Sequence, residues 1–384
     1  MISSDCSSLI YLDHNATTPI APEVLDAMLP YLREHFDNPS SDHVLGHEAH
    51  RAVKAAREQV ASLIGASPRE IVFTSGGTES NNIAIRGVAA AAGPGRRRIV
   101  TSQVEHPATA GPCAILEAQG WSITRVPVTP EGVVNADMAI QSLGTDVALV
   151  TMMRAQNETG AIMPVGEVAN SARGTGAIIH TDAAQAIGKI PVNVDDLGVD
   201  LLSIAGHKFY APKGVGALYV RAGTPIEPLV FGGGQERGLR PGTEDVASIV
   251  GLGEASELAR SRLDAEAVRL RTLRDELWRN LWERIPALVR HTPELASLPD
   301  TLSVSFPGVL GKDVLSTADG VIASTGSACH AGVDSPAETL LAMHVAPDVA
   351  LGAVRISLGH SNSKAEVASA ADILVAAHER VAGR

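Results

Sequence analysis

Cysteine, long apolar runs and positive charge are all scarce in this chain. Three cysteines among 384 residues are too few for a disulfide framework, so we expect a reducing, cytoplasmic location. No apolar run is long enough to span a bilayer, and the N-terminus lacks the basic and apolar regions of a secretory signal. Because the net charge is −12 and no long basic run occurs, we do not expect direct binding to nucleic acid.

The composition and the spacing of apolar runs favour an α/β protein. Apolar residues make up 45% of the chain, which is enough for a large core, and the length suits two domains. The Val/Ile runs are continuous rather than alternating, so we expect a mostly parallel sheet that is covered on both faces. The predicted strands span residues 70–74, 98–102, 147–152, 177–180, 199–204 and 215–220. The predicted helices span residues 46–64, 77–92, 108–119, 165–173 and 183–187.

The composition of the sequence and its predicted structure change at about residue 256. A long charged helix is predicted at 255–282, followed by strands at 301–306 and 354–358 and a last helix at 364–382. We therefore expect a large domain over residues 15–255. Residues 256–384, together with 1–14, are expected to form a smaller α+β domain.

A lysine and an aspartate follow two neighbouring predicted strands. Lys208 comes after the strand at 199–204, and Asp182 comes after the strand at 177–180. A lysine amine that attacks an aldehyde, and a carboxylate that keeps a pyridine nitrogen protonated, are what pyridoxal phosphate (PLP) requires when it is bound as a Schiff base. Taken singly, Lys208 could be an ordinary strand-end lysine and Asp182 could be a helix N-cap.

Three more polar residues could complete a PLP site. Gln185, just beyond Asp182, could donate a hydrogen bond to the phenolic oxygen of the cofactor. His207 could lower the pKa of Lys208 or reach the phosphate. His106, after the strand at 98–102, could stack on a flat cofactor and relay protons, although a loop histidine is more often polar surface.

A glycine-rich turn at 75–80 joins the predicted strand 70–74 to the helix that follows. Glycines such as Gly77 let the backbone approach a ligand closely, and Thr78 adds a hydroxyl group. The first turn of a helix also presents unpaired N–H groups and a positive dipole end. The turn is therefore a candidate phosphate cup, although a plain capped turn fits the same residues.

Two residues of the C-terminal third carry further chemistry. Cys329 lies among small residues at 324–332, which predicts a mobile, exposed loop with an accessible thiol whose pKa His330 could lower. Arg355 could hold a substrate carboxylate through two parallel hydrogen bonds, or it could form a structural ion pair. We expect no metal site, because His47 and His50 are spaced i, i+3 and do not form H-E-x-x-H.

Together these residues resemble the cysteine desulfurase family, in the aminotransferase class V group of PLP enzymes. The likeness runs nearly end to end, and the number and order of its short motifs make it specific. The loop around Cys329 is similar to that of the housekeeping branch of the family. Residues 231–237 and 328–330 also resemble selenocysteine lyase. The motifs are, in chain order, Tyr11-Leu12-Asp13-His14-Asn15-Ala16-Thr17-Thr18-Pro19, Asn38-Pro39-Ser40-Ser41, residues 75–82, Glu105-His106, Asn157-Glu158-Thr159-Gly160, His180-Thr181-Asp182-Ala183-Ala184-Gln185, Gly206-His207-Lys208, Arg240-Pro241-Gly242-Thr243 and Gly326-Ser327-Ala328-Cys329.

The resemblance implies a fold-type I homodimer with a mostly parallel, seven-stranded sheet in its large domain and a smaller α+β domain. It implies that Lys208, His106 and Cys329 are catalytic. By the same likeness the cofactor is held by Gly77, Thr78, His106, Asp182, Gln185, His207 and Lys208, with Thr243 reaching the phosphate of the partner subunit. The substrate is held by Asn15, Gln156, Asn157 and Arg355. This chain departs from the family at Ala205, where serine is common, and at Gln156, where asparagine is common.

The implied activity is the PLP-dependent removal of sulfur from L-cysteine. It gives L-alanine and a persulfide on Cys329, which an acceptor protein collects. The acceptor stays open among an iron–sulfur scaffold, tRNA thiolation, a cofactor pathway and DNA modification. Alternatives are a selenocysteine lyase acting on L-selenocysteine, a transaminase that does not need Cys329, and a non-catalytic sulfur carrier.

Overall fold

The computed structural model describes residues 9–325 and 335–383, so the predicted nucleophile Cys329 lies outside the described residues. The strands are β1 (Ile10–Tyr11), β2 (Ile71–Thr74), β3 (Arg98–Ser102), β4 (Ser122–Val126), β5 (Val147–Thr151), β6 (Ile178–Asp182), β7 (Leu201–Ala205), β8 (Gly216–Val220), β9 (Val289–Arg290), β10 (Thr301–Ser305), β11 (Val321–Ile322) and β12 (Ala353–Ser357). The helices are α1 (Pro22–Arg33), α2 (Val44–Ile64), α3 (Gly77–Ala91), α4 (Pro107–Ala118), α5 (Ala136–Gln141), α6 (Val165–Ala172), α7 (Val194–Leu197), α8 (Val246–Trp282), α9 (Gly311–Thr317), α10 (Glu338–Ala342), α11 (Pro347–Leu351) and α12 (Lys364–Val381). Among the described residues, no helix is long and apolar enough to cross a membrane.

A seven-stranded sheet with the order β2-β8-β7-β6-β5-β3-β4 forms the centre of the molecule. Only β8 runs against the others, since it pairs antiparallel with both β2 and β7. The predicted mostly parallel α/β sheet is thus confirmed. The carboxyl ends of β2, β3, β5, β6 and β7 all lie at one edge of the sheet, which is where ligands bind in open α/β folds.

Both faces of this sheet are buried, as its continuous apolar runs indicate. Successive strand residues belong to cores on opposite faces: Leu149 and Leu201 pack on one side, and Val150 and Leu202 on the other. Side chains of a strand point alternately to the two faces, so a strand with cores on both sides is apolar at most of its positions.

A second core lies around a three-stranded antiparallel sheet with the order β12-β10-β9. Residues of α8 and α12 cover it, among them Leu277 and Leu374, and the early residue Leu12 packs there too. Strand β1 pairs in parallel with β11, which ties the start of the chain to this part of the molecule. The division of the chain into domains at residue 255 stays a prediction.

Two predicted elements differ from the structure. The helix predicted at 183–187 is a series of turns, because the backbone at Gly188 has a φ of 75°, which an α-helix does not accommodate. The long helix begins at Val246 rather than at residue 255, with the Asp245 side chain accepting a hydrogen bond from the N–H of Ser248 at 3.1 Å. This aspartate is the N-cap signal that the sequence prediction missed.

Close packing of α2 against α8 depends on a glycine. A Cβ atom at Gly253 would lie 2.7 Å from the backbone Cα of Ala56 in α2. In α6, by contrast, a Cβ atom at Gly166 would meet nothing nearer than 3.7 Å.

We expect Gly253→Ala to lower stability by about 1–3 kcal/mol, because the helices must move apart. The matched control Gly166→Ala should raise stability by about 0.5–1 kcal/mol, since alanine favours a helix over glycine. Urea denaturation followed by circular dichroism measures both. Equal midpoints for the two variants would contradict the packing argument.

Candidate active site

A cavity of about 330 Å³ opens at the carboxyl edge of the large sheet. This volume lies within the usual range for small-molecule sites, about 300–1,000 Å³. The structure brings most of the predicted site residues to its wall: Asn15, Gly77, Thr78, His106, Asn157, Asp182, Gln185, His207, Lys208 and Arg355.

Lys208 lies in a short 3₁₀ turn, Gly206–Lys208, directly after β7. Its Nζ donates hydrogen bonds to the backbone carbonyl oxygens of Asn15 at 2.7 Å and of Ala16 at 2.8 Å. Burial, followed by the positive charges of Lys189 and Arg355, lowers the pKa of Lys208 to about 8, against the opposing effect of nearby carboxylates. An appreciable fraction of this amine is therefore neutral and nucleophilic near neutral pH.

The turn that carries Lys208 is held in an uncommon backbone conformation. Tyr210 has a φ of 71°, in the left-handed region, where a non-glycine residue costs of order 1–3 kcal/mol. The Tyr210 N–H donates to the hydroxyl of Thr18 at 2.7 Å, and the Thr18 N–H donates to the carbonyl of His207 at 2.9 Å. These bonds from the N-terminal segment keep the turn in place.

Asp182 is the last residue of β6 and is buried at the floor of the cavity. Its Oδ2 accepts a hydrogen bond from Nδ2 of Asn81 at 2.6 Å, and its Oδ1 accepts one from the N–H of Ala184 at 2.9 Å. The second bond is the one that an N-cap would make, but turns and no helix follow. The Asp182 carboxylate lines the cavity, where it suits a protonated ring nitrogen.

The predicted phosphate cup begins α3. Gly76 has a φ of 140°, which favours glycine, and the first N–H groups of the helix follow it. A Cβ atom at Gly77 would lie 3.2 Å from the Cβ of Ala205, so the two segments meet closely at this end of the cavity. Burial lowers the pKa of His207 to about 4, so its ring is neutral at pH 7 and has one N–H to donate.

His106 is the N-cap of α4. Its Nδ1 accepts a hydrogen bond from the N–H of Ala108 at 3.1 Å, which places the ring proton on Nε2. Burial lowers the pKa of His106, and the charge of Asp182 opposes that shift. Beside it, burial raises the pKa of Glu105 to about 8, and that carboxyl group accepts a bond from the N–H of Met153 at 3.0 Å.

Arg355 in β12 forms the structural ion pair that its sequence allowed as the alternative to substrate binding. One guanidinium nitrogen pairs with Asp13 at 2.7 Å, and another donates to the carbonyl of Asn157 at 3.1 Å. Its Nε is buried and has no protein partner. A buried guanidinium with an unpaired N–H at a cavity wall suits a carboxylate ligand.

Two predicted site residues that the structure describes do not lie at the cavity wall. Gln156 is buried behind it, where its Oε1 accepts from the N–H of Thr159 at 2.9 Å and its Nε2 donates to Thr339 at 3.0 Å. Thr243 is exposed on the surface of the chain. Cys329 is outside the described residues. The side chain of Asn15 lies at the wall but is fully engaged, because its amide group bonds to Thr301 and Lys189.

Cys113, by contrast, is an unreactive thiol. It is 1% exposed, and burial raises its pKa to about 12, so little thiolate forms at neutral pH. Among the described residues, no group of three His, Cys, Asp or Glu side chains could hold a metal ion.

The sequence reasoning missed three contributors to the site. The carbonyl of Ala16 and the backbone of Met153 are invisible to a search for reactive side chains. Lys189 is a buried ammonium that bonds to Gln185 and Asn15. Its signal was present in the sequence, since a lysine inside an apolar run must be paired if that run is buried.

Comparison with known proteins places these features in a family. A model described as aminotransferase class-V matches residues 10–369. A relative named cysteine desulfurase IscS, from Dictyoglomus turgidum, is 47% identical over 95% of this chain and 93% of its own length. The chain belongs to the cysteine desulfurase family.

Solved structures agree with this family. A structure titled NifS-like protein has a TM-score of 0.91 and 38% identity, covering 98% of this chain and all of that one. Another, titled SspA in complex with cysteine, has a TM-score of 0.81 and 35% identity, covering 91% of this chain and 98% of that one. The likeness therefore includes the whole arrangement of sheets and helices and is not confined to the motifs.

The donor set of the cavity fits PLP, the cofactor that the family implies. Lys208 supplies an amine of lowered pKa, Asp182 a buried carboxylate, and α3 a helix N-terminus behind a glycine. These three groups match an aldehyde, a pyridine nitrogen and a phosphate in turn.

We expect the amine of Lys208 in the cofactor-free protein to react with trace acetic anhydride with a midpoint near pH 8. The neutral amine is the reactive form, so labelling rises as pH passes the pKa, below the value of about 10.4 for a free lysine. Mass spectrometry of the Lys208 peptide measures it, with exposed Lys54 as the internal reference. Labelling that keeps rising to pH 10 would show that burial does not shift this amine.

Proposed function

We propose that this chain is a PLP-dependent cysteine desulfurase. It takes sulfur from L-cysteine, releases L-alanine and carries the sulfur as a persulfide on Cys329. Support comes from the family, whose curated relatives are named cysteine desulfurase, and from the similar structure that is described in complex with cysteine. The observation that carries the proposal is the convergence of Lys208, Asp182 and Arg355 on one cavity.

Each of the residues around the cavity would hold a different part of the cofactor. Lys208 would carry PLP, Asp182 would hold the ring nitrogen, and Gln185 would donate to the phenolic oxygen. His106 would lie against the ring. Gly77, Thr78 and His207 would hold the phosphate at the start of α3. When bound, PLP supplies an electron-poor ring that accepts the electron pair left by a broken Cα–H bond.

Proton transfer falls to Lys208. A pKa of about 8 leaves part of its amine neutral at pH 7.5, ready to take the Cα proton of the substrate at Nζ. His106 has its Nδ1 occupied by the cap of α4, so Nε2 is the atom at which it can exchange a proton. The two groups share the cavity with Asp182, whose negative charge favours their charged forms.

Arg355 and Asn157 form the carboxylate side of the site. The unpaired Nε of Arg355 is available to the substrate, while Asp13 and the carbonyl of Asn157 hold the rest of the guanidinium. Gln156, one of the departures from the family pattern, acts indirectly by bracing the loop that contains Asn157.

The segment that carries Cys329 starts beside the carboxylate site. Ser324 pairs with Arg355 through two backbone hydrogen bonds, Arg355 N–H to Ser324 at 2.6 Å and the reverse at 3.2 Å. Cys329 comes five residues after Ser324 along the chain. We propose that this tether lets the thiol reach a substrate whose carboxylate is held by Arg355.

The sulfur step conserves atoms. The Cys329 thiolate attacks the sulfur of the substrate, the carbon–sulfur bond of cysteine breaks, and a sulfur–sulfur bond forms on Cys329. Cysteine and the enzyme thiol thus become alanine and the enzyme persulfide. The terminal sulfur then passes to an acceptor protein or to a small thiol.

We also propose that the enzyme is a homodimer. Phe231 is 84% exposed, in the segment that leads to Thr243, and large exposed apolar side chains often mark interfaces. Glu236 in this segment pairs with Arg57 of α2 at 2.6 Å, which fixes the segment to the body of the chain. Thr243 would then reach the phosphate bound by the partner.

Cys329→Ala is expected to keep the cofactor and its visible absorbance but to lose sulfide release from cysteine by a factor of 100 or more, on the order expected for a missing nucleophile. The assay measures alanine and sulfide with a reducing thiol present. Lys208→Ala is the companion variant, which should lose both the covalent cofactor and the activity.

Other outcomes would point to other functions. Faster turnover of selenocysteine that survives Cys329→Ala would indicate a selenocysteine lyase. Formation of a keto acid in place of alanine, without need of Cys329, would indicate a transaminase. A colourless protein that releases no sulfur would indicate a non-catalytic carrier.

The dimer has its own test. Phe231→Asp should shift the sedimentation of the protein toward the monomer, because a charge cannot be buried in an apolar interface without a partner. Leu295→Asp is the matched control, since Leu295 is 92% exposed in the other part of the chain. A monomeric wild-type protein would contradict the proposed dimer.

A further inference from the structure

A buried ammonium group lies behind the wall of the cavity. Lys189 is 8% exposed and does not line the cavity itself. Its Nζ is 2.7 Å from Oδ2 of Asp300, donates to Oε1 of Gln185 at 3.0 Å and donates to Oδ1 of Asn15. Burial lowers the pKa of Lys189, and the charge of Asp300 opposes that shift. Three acceptors match the three N–H groups of a charged lysine, so these contacts favour the ammonium form.

The ammonium determines which end of the Gln185 amide faces the active site. Because Oε1 is directed at Lys189, the Nε2 end points away from it and donates to the carbonyl oxygen of Asn15 at 2.9 Å. Lys208 donates to the same carbonyl oxygen at 2.7 Å. The amide N–H groups of Gln185 and the amine of Lys208 are thus neighbours at one acceptor.

Asp300 connects the ammonium to the smaller sheet. Its second oxygen, Oδ1, accepts from the hydroxyl of Thr301 at 3.0 Å, at the start of β10. The same Thr301 oxygen accepts from the amide of Asn15 at 2.9 Å. Lys189, Asn15 and Asp300 therefore form one closed polar network between the two sheets.

We propose that Lys189 is a positioning residue of the active site, which turns the Gln185 amide and the Asn15 carbonyl toward the amine of Lys208, with Asp300 as its counter-ion. The inference rests on the proposed function only in taking Lys208 as the amine that carries the cofactor. Lys189 adds a positive charge near the amine of Lys208. After burial, this charge is the largest cause that lowers the pKa of Lys208.

The amine of Lys208 is also influenced by other charges, which the test must keep constant. The charged and titratable groups that face it are Lys189, Arg355, Asp182, Asp13, His106 and His207. Only the first is changed below, and none of the variants alters a group that touches the cofactor or substrate.

Lys189→Met removes the charge and keeps the length of the side chain. In the cofactor-free protein we expect the labelling midpoint of Lys208 to rise by about one pH unit, because a neighbouring positive charge is gone. Asp300→Asn leaves the lysine in place but removes the carboxylate that raises the pKa of Lys189, so its midpoint should rise less than that of Lys189→Met. If Lys189 serves only to stabilise the fold, both variants melt at lower temperature and neither moves the midpoint.

A buried carboxylate without a partner can prevent folding, so the double variant Lys189→Met/Asp300→Asn is needed as well. It should show the same raised midpoint as Lys189→Met, with a melting temperature nearer to wild type. An unchanged midpoint in both variants that lack Lys189 would overturn the proposal. Because labelling needs neither cofactor nor turnover, this result does not depend on whether the chain desulfurates cysteine.

Discussion

Two backbone carbonyl groups near the start of the chain, those of Asn15 and Ala16, hold the amine around which the site is arranged. They accept the hydrogen bonds of Lys208 in a place where burial disfavours its charge. The segment that supplies them is itself held from both sides of the cleft. The Asn15 N–H donates to Ser357 of β12, and Thr18 bonds to the turn that contains Lys208. The reactive amine thus depends on contacts that are more than 180 residues apart in sequence.

The parts of the site that could be predicted are those whose chemistry depends on single side chains at strand ends. Lys208, Asp182 and His106 were found because parallel strands bring their carboxyl ends to one edge, whatever the loops do. The burial of both faces of the sheet could also be predicted, from continuous apolar runs such as that of β7. In these elements the local pattern and the global fold agree.

Where prediction failed, the decisive interaction lay outside the local sequence. The turns after Asp182 contain residues that favour a helix, but Gly188 needs a left-handed backbone to pass Phe209, whose Cβ would be 3.0 Å from a side chain there. The substrate role that the resemblance implies for Asn15 stays a prediction, and its amide is engaged by Thr301 and Lys189. Such engagement depends on tertiary contacts, which a motif does not record.

The helix α8 has a consequence for how the protein can be divided. It packs on α1 and α2 at one end and on α12 at the other, without a break at the composition change near residue 255. At 1.5 Å per residue its 37 residues extend about 55 Å. A fragment cut at that change would expose the apolar face of one half of α8, and it would lose part of the helix against which both cores pack. The two parts of this chain are therefore expected to fold only together.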